Sequence, residues 1–144
     1  MFPHRLDEEK RPHEFRMLMQ HAIGMDSNWN FILTKEQKLS KNEYLDTLSE
    51  SLISVSTAVL EMFGIAMVES VLLGCIPLVP NRLAYREMYP AKFRYRDEQD
   101  MRLMLTEMMH RPEEYQSHLG YLRADFENKS RGFFPRLIDV MRQV

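Results

Sequence analysis

Hydrophobic positions along the chain alternate between short apolar runs and stretches in which they recur every three or four residues. The runs at residues 30–34, 52–56 and 75–80 are typical of strands, and residues 1–3 have the character of a strand end. A helix is predicted over residues 12–24, since Pro12 fits a first helical turn and apolar residues follow at helical spacing. The first part of the chain therefore alternates strand with helix.

Capping residues place the next helices. Ser40 and Glu43 form the pattern of a capping box, which predicts a helix start at that point. Gly64 and Gly74 bracket a helical run, and Gly74 suits the position just past a helix end. Beyond Tyr95 the pattern is wholly helical, with helices predicted over residues 98–110, 112–127 and 130–142. Strands separated by helices favour an α/β fold, a Rossmann-like parallel sheet with helices on both faces. Pro77 and Pro80 predict that the strand at 75–80 ends or borders that sheet.

Composition narrows the class of protein. The 144 residues are 44% apolar, enough for one core, and no linker or repeat divides them, so residues 1–144 are expected to form one domain. The longest uncharged run, residues 70–81, is too short to cross a membrane. A net charge of −2 excludes a polycation built for nucleic acid, and the single cysteine, Cys75, fits a reducing, cytoplasmic location. The five histidines show no metal-ligand spacing, so neither a metal site nor a cofactor is predicted.

Two cations follow the first predicted strand. Arg5 and Lys10 lie in one strand-to-helix loop, and such loops border the crevice where open α/β sheets bind ligands. A guanidinium and an ammonium in that place can bind a diphosphate. The plain alternative is that both are solvated and pair with acidic residues of the same loop.

A second candidate site lies between residues 56 and 69. A strand ends there in hydroxyl-bearing residues, and a helix follows from Gly64, whose free amides and positive dipole end suit a phosphate. Glu69 falls among apolar residues of that helix and needs a partner, for which ribose hydroxyls or a neighbouring arginine are both candidates. Glu61 precedes the helix, where an acid is also stabilised simply by the dipole.

The motifs together resemble a known family. Glu61-x7-Glu69 enclosing Phe63-Gly64, followed by residues 74–82, is similar to the donor half of family 4 retaining glycosyltransferases, which have the GT-B fold. Arg5-Leu6 followed by Lys10 resembles that family's Gly-Arg-Leu-x-x-x-Lys segment, with His4 in place of the glycine. The Pro-His-Arg-Leu and Pro-Asn-Arg-Leu-x-Tyr segments are similar to the branch that includes tRNA-queuosine mannosyltransferases and some phage enzymes. The resemblance covers roughly residues 2–142.

The resemblance implies a role for each matched residue. Arg5 and Lys10 would hold the donor diphosphate, and Glu61 would contact the transferred sugar. Glu69 would bind the ribose, and the backbone at the remaining matched positions would line the sugar and phosphate: Phe63, Gly64 and Ile65. The chain would then transfer a hexose from a nucleotide sugar, with no metal, to an acceptor that the sequence does not identify.

A GT-B enzyme reacts between two domains, and these residues account only for the donor domain. The amino-terminal acceptor domain is expected to be absent from the chain. Either these residues are an excised piece of a longer protein, or a separate chain completes the enzyme, and the chain alone is expected to be inactive. Self-association is the other expectation, through an apolar face of the last predicted helix: Phe133, Phe134, Leu137 and Met141.

Two other classes of function stay open. A Rossmann-like domain without catalytic activity could bind a nucleotide or a partner. A nucleic-acid-binding domain, or a nucleic-acid acceptor, is suggested by the interleaved basic and aromatic residues of segment 82–96. The alternative for that segment is a surface whose aromatic side chains pack inward.

Overall fold

A parallel three-stranded sheet forms the centre of the computed structural model, which describes residues 1–131. The strands are β1 (Ile53–Val55), β2 (Ile76–Pro80) and β3 (Arg94–Tyr95), in the spatial order β1-β2-β3. Both neighbouring pairs run parallel. This confirms the predicted α/β, Rossmann-like class.

The chain start extends the sheet on the far side of β1. The backbone N–H of Val55 donates to the carbonyl oxygen of Met1 at 2.8 Å, and Phe2 forms an isolated parallel bridge with Leu33. The predicted strand over residues 30–34 is therefore wrong in extent, since only this one bridge forms. Thr34 already opens a 3-10 turn, Thr34–Glu36, which ends the extended conformation.

The expectation that the proline-containing strand borders the sheet is also wrong. β2 lies between β1 and β3, and all five of its residues are buried. The backbone nitrogen of Pro77 lies on the side of β3, and β3 pairs with β2 only from Val79 onward. The N–H group that proline lacks is therefore not needed for pairing at this position. The backbone nitrogen of Pro80 lies on the side of β1, and the last paired position there is Val55 with Leu78, so Pro80 also lies beyond the paired region. The prolines therefore fit a central strand because each neighbour is short.

Helices flank the sheet, and all but one lie close to predicted positions. The exception is the fourth, which falls in segment 82–96, where no helix was predicted. The helices are α1 (Pro12–Met25), α2 (Lys41–Ser49), α3 (Ile65–Leu72), α4 (Leu83–Met88), α5 (Glu98–His110) and α6 (Pro112–Ser130). The capping box at the start of α2 is present, with the Ser40 side chain accepting from the Glu43 N–H and the Glu43 carboxylate accepting from the Ser40 N–H. Most of the predicted helix 130–142 lies outside the described residues, as does its candidate self-association face: Phe133, Phe134, Leu137 and Met141.

The helices pack in contact with one another as well as with the strands. Helix α1 contacts α5, while α3 contacts α6, and both α5 and α6 contact β2. The complete burial of β2 requires cover on both faces of the sheet, as in other parallel sheets. Loops leaving the strands at their carboxyl ends are thereby held against a rigid centre, and two of these loops build the candidate site.

Candidate functional site

Two loops that follow neighbouring strand ends meet in a cleft of about 380 Å³. One loop follows the paired residue Phe2, and the other follows β1. The cleft is lined by all the predicted site residues except Glu69: Arg5, Lys10, Glu61, Phe63, Gly64 and Ile65. Its position outside the carboxyl ends of parallel strands is the usual ligand position in open α/β sheets.

Lys10 and Glu61 form a mostly buried ion pair in this cleft. Lys10 Nζ lies 2.7 Å from Glu61 Oε2 and also donates to the carbonyl oxygen of Leu60 at 3.1 Å. The two side chains are only 11% and 16% exposed. The plain alternative for Lys10, pairing with an acid of its own loop, is wrong, because its partner is 51 residues away in sequence.

Arg5 is solvated and pairs with an acid of its own loop, as the plain alternative predicts. Its guanidinium lies 3.3 Å from the Asp7 carboxylate, and both side chains are well exposed. An exposed ion pair of this kind contributes about 0–1 kcal/mol. Arg5 can therefore exchange Asp7 for an anion in the cleft at little cost.

The amino-terminal end of α3 supplies backbone N–H groups to the cleft. Gly64 has the left-handed conformation, with φ +62°, and no side chain among residues 1–131 caps the helix. A Cβ atom at Gly64 would lie 2.8 Å from Cε1 of the buried Tyr85 ring. Glycine is therefore required both by the backbone conformation and by space. The first amides of α3 keep their hydrogen-bonding capacity for a ligand.

His4 lines the same cleft as a buried side chain. The residue is 3% exposed, and its ring packs edge-to-face on Phe2 with centroids 5.2 Å apart. Its Nε2 atom has no hydrogen-bond partner among the described residues. Burial lowers the pKa of His4 to about 4, and nearby Lys10 adds to this, while Glu61 opposes it. In the sequence, His4 was notable only because it replaces the glycine of the family that the motif resembles.

Glu69 lies outside the cleft lining, one helical turn along from Ile65. Its carboxylate accepts from Lys41 Nζ at 2.8 Å and from the Tyr44 hydroxyl at 2.9 Å. Both partners are on α2, and the hydrogen-bonded Glu69 side chain is only 12% exposed. Sequence analysis missed Lys41 and Tyr44, because nothing in the α2 pattern indicates which side chain of α3 it meets. The ribose role of Glu69 stays a prediction.

The basic and aromatic segment 82–96 does not offer rings for base stacking. Its four aromatic residues are all at most 4% exposed: Tyr85, Tyr89, Phe93 and Tyr95. Among its five cations, Arg94 donates to Asn81, Arg96 pairs with Asp100 at 3.1 Å, and Lys92 lies 4.8 Å above the Tyr115 ring. The nucleic-acid alternative at this segment loses the stacking on which it was based, because the aromatic side chains pack inward.

Several further features concern metals, thiol chemistry and membranes. Within residues 1–131, no group of three or more histidine, cysteine or acidic side chains is arranged to hold a metal ion. Cys75 is buried, its thiol donates to the Leu48 carbonyl oxygen at 3.1 Å, and burial raises its pKa to about 12. This makes Cys75 an unreactive core thiol. No helix in the described part of the chain is both long and apolar enough to span a membrane.

Comparison with known proteins shows a partial similarity to a glycosyltransferase. The chain is 47% identical over 57 residues to the tRNA-queuosine alpha-mannosyltransferase of Drosophila melanogaster. The matched region covers 40% of this chain and 15% of the length of that protein. No family model and no solved structure matches the chain. This partial homology indicates a glycosyltransferase-related domain.

Proposed function

We propose that the chain is a nucleotide-sugar-binding domain of a family 4 retaining glycosyltransferase, equivalent to the carboxyl-terminal domain of the GT-B fold. The observation that carries the proposal is the cleft itself. The cleft lies at the carboxyl ends of parallel strands. It brings together two cations, a glutamate and an uncapped helix start, which come from distant parts of the sequence. The similarity to a mannosyltransferase supports the same conclusion from the sequence.

The proposed roles follow from the charge of each group. Lys10, Arg5 and the first amides of α3 bind the diphosphate and stabilise the negative charge that grows on it as the sugar leaves. Positive groups fixed in advance around a leaving group are usually the largest catalytic contribution. Glu61 accepts hydrogen bonds from hydroxyls of the sugar, and Glu69 binds the ribose with Lys41 and Tyr44 holding its carboxylate in place.

The acceptor is assigned to a second domain outside these residues, supplied by a separate chain or another part of the protein. Every candidate group in the cleft serves the donor, and transfer needs both substrates held together. The relative's name makes mannose the first donor sugar to test and the queuosine of tRNA the first acceptor. A cytoplasmic location is part of the proposal, supported by the free, buried Cys75.

Titration calorimetry tests the proposal directly. The chain is titrated with UDP, GDP and ADP and then with the corresponding nucleotide sugars. We expect the nucleotides of only one base to bind, and we expect their affinity to depend on the attached sugar. A nucleotide-binding module without transferase function would instead bind the diphosphate equally well with and without the sugar.

A double variant probes the cleft without leaving a buried charge unpaired. Lys10→Met together with Glu61→Gln removes both members of the ion pair, and we expect at least about tenfold weaker binding of the nucleotide sugar. Lys129→Met is the matched control, because Lys129 pairs with Asp125 on the exposed surface of α6. Unchanged affinity in the double variant, with an intact circular dichroism spectrum, would exclude this cleft as the donor site.

A further inference from the structure

The His4 imidazole is the one buried side chain lining the cleft, among residues 1–131, that keeps an unused polar atom. Lys10 and Glu61 satisfy each other, and Lys10 has a second acceptor in the Leu60 carbonyl oxygen. The Nε2 atom of His4 is buried and has no hydrogen-bond partner among residues 1–131. Buried polar atoms without a partner are rare in folded proteins and often mark a functional site.

Packing alone does not account for a histidine at this position. The ring lies edge-on to Phe2 at 5.2 Å, a contact that a phenylalanine ring would make equally well. Burial also disfavours the charged imidazolium, so His4 is a neutral ring at neutral pH. A neutral imidazole carries one N–H, which can reside on Nε2 and donate a hydrogen bond.

The charges around His4 indicate which kind of ligand atom its Nε2 would contact. Arg5, Lys10 and Lys35 line the cleft together with the positive end of α3, and Glu61 is its acidic member. This surplus of positive groups favours an anion. A neutral N–H donor adds a hydrogen bond to that anion without adding a further charge that would need burial.

We propose that His4 is a diphosphate-binding residue whose Nε2–H donates to a phosphate oxygen of the bound nucleotide sugar. The inference rests on the proposed function, because it assigns the ligand of the same cleft. It goes further in giving a role to the side chain that replaces the family's glycine. The ligand oxygen supplies the hydrogen-bond partner that the described part of the chain does not.

Nuclear magnetic resonance tests this by observing the His4 ring of the wild-type chain as the ligand binds. Histidine ring nitrogens are labelled with ¹⁵N, and the His4 signals are assigned by their loss in His4→Phe. Titration with the nucleoside diphosphate that binds the wild type is expected to shift the His4 Nε2 signal. His118, an exposed residue on α6, is the internal control whose ring signals stay in place.

Two substitutions separate the hydrogen bond from packing. His4→Phe keeps the ring contact with Phe2 and removes the donor, so we expect about tenfold weaker diphosphate binding. His4→Gln retains an N–H donor at a comparable reach and is expected to stay within about threefold of wild type. Unshifted His4 signals, or equal affinity in His4→Phe, would overturn this inference alone. Failure of the wild type to bind any nucleoside diphosphate or nucleotide sugar would instead refute the proposed function.

Discussion

Acidification is expected to destabilise the fold through His4. Burial lowers the His4 pKa from 6.5 to about 4, with Lys10 adding to the effect and Glu61 opposing it. As the pH falls below 6.5, the unfolded chain takes up the proton while the folded chain does not, so the free energy of unfolding decreases. The loss is complete once the pH is below about 4. A difference of about 2.5 pKa units corresponds to about 3 kcal/mol, a large part of the stability of a domain this size.

Urea unfolding at closely spaced pH values from 7.5 to 3.5 measures this loss. The comparison is between wild type and His4→Phe, which preserves the ring packed on Phe2 but cannot be protonated. We expect wild type to lose about 3 kcal/mol more than the variant between pH 6.5 and 4. The buried Met1 ammonium, whose pKa is lowered to about 6, affects both proteins equally and cancels in the difference.

His118→Phe is the control for replacing a histidine as such. This side chain is exposed on α6, so the variant should retain the wild-type pH dependence. Parallel stability curves for wild type and His4→Phe would refute the argument. They would mean that the imidazole is solvated or gains a partner when it is protonated.

Three further predictions concern the groups around α3. Gly64→Ala is expected to destabilise the fold by about 2–4 kcal/mol, since it combines a left-handed backbone conformation with a Cβ atom 2.8 Å from the Tyr85 ring; a loss below about 0.5 kcal/mol in urea unfolding would contradict the tight packing. Tyr44→Phe is expected to cost about 1–3 kcal/mol, because it takes a hydrogen bond from the poorly exposed Glu69 carboxylate. Lys41→Met should cost less than about 1 kcal/mol, since its ammonium group is well exposed, and equal losses in these two variants would contradict that ranking.

Local signals in the sequence were sufficient for most of the helices. The capping box at Ser40 and the glycines at positions 64 and 74 act through their own backbone geometry, which depends little on the rest of the fold. The strands were harder to predict, because a strand is completed by its neighbours. The central position of β2 could not be derived from its prolines without knowing that β3 is two residues long.

The candidate site was predictable as a set of residues but not as a set of contacts. The motifs place Lys10 and Glu61 in two separate loops, and only the folded sheet shows that they bind each other. The same holds for Glu69, whose partners lie on a helix that begins 28 residues earlier. Side-chain pairing over such separations depends on the register of the sheet and the rotation of the helices, which a single sequence does not encode locally.

The Lys10–Glu61 pair has a consequence for the kind of ligand that fits the proposed function. A phosphate that draws Lys10 away would leave the Glu61 carboxylate mostly buried without its cation, which is costly. Inorganic phosphate or a bare nucleoside diphosphate brings no donor from a sugar to replace Lys10 at that carboxylate. A nucleotide sugar brings both an anion for Lys10 and hydroxyl donors for Glu61, so both members of the pair keep a partner. The pairing therefore favours a ligand that joins phosphate to a sugar, and it predicts that removing the sugar weakens binding more in wild type than in Glu61→Gln.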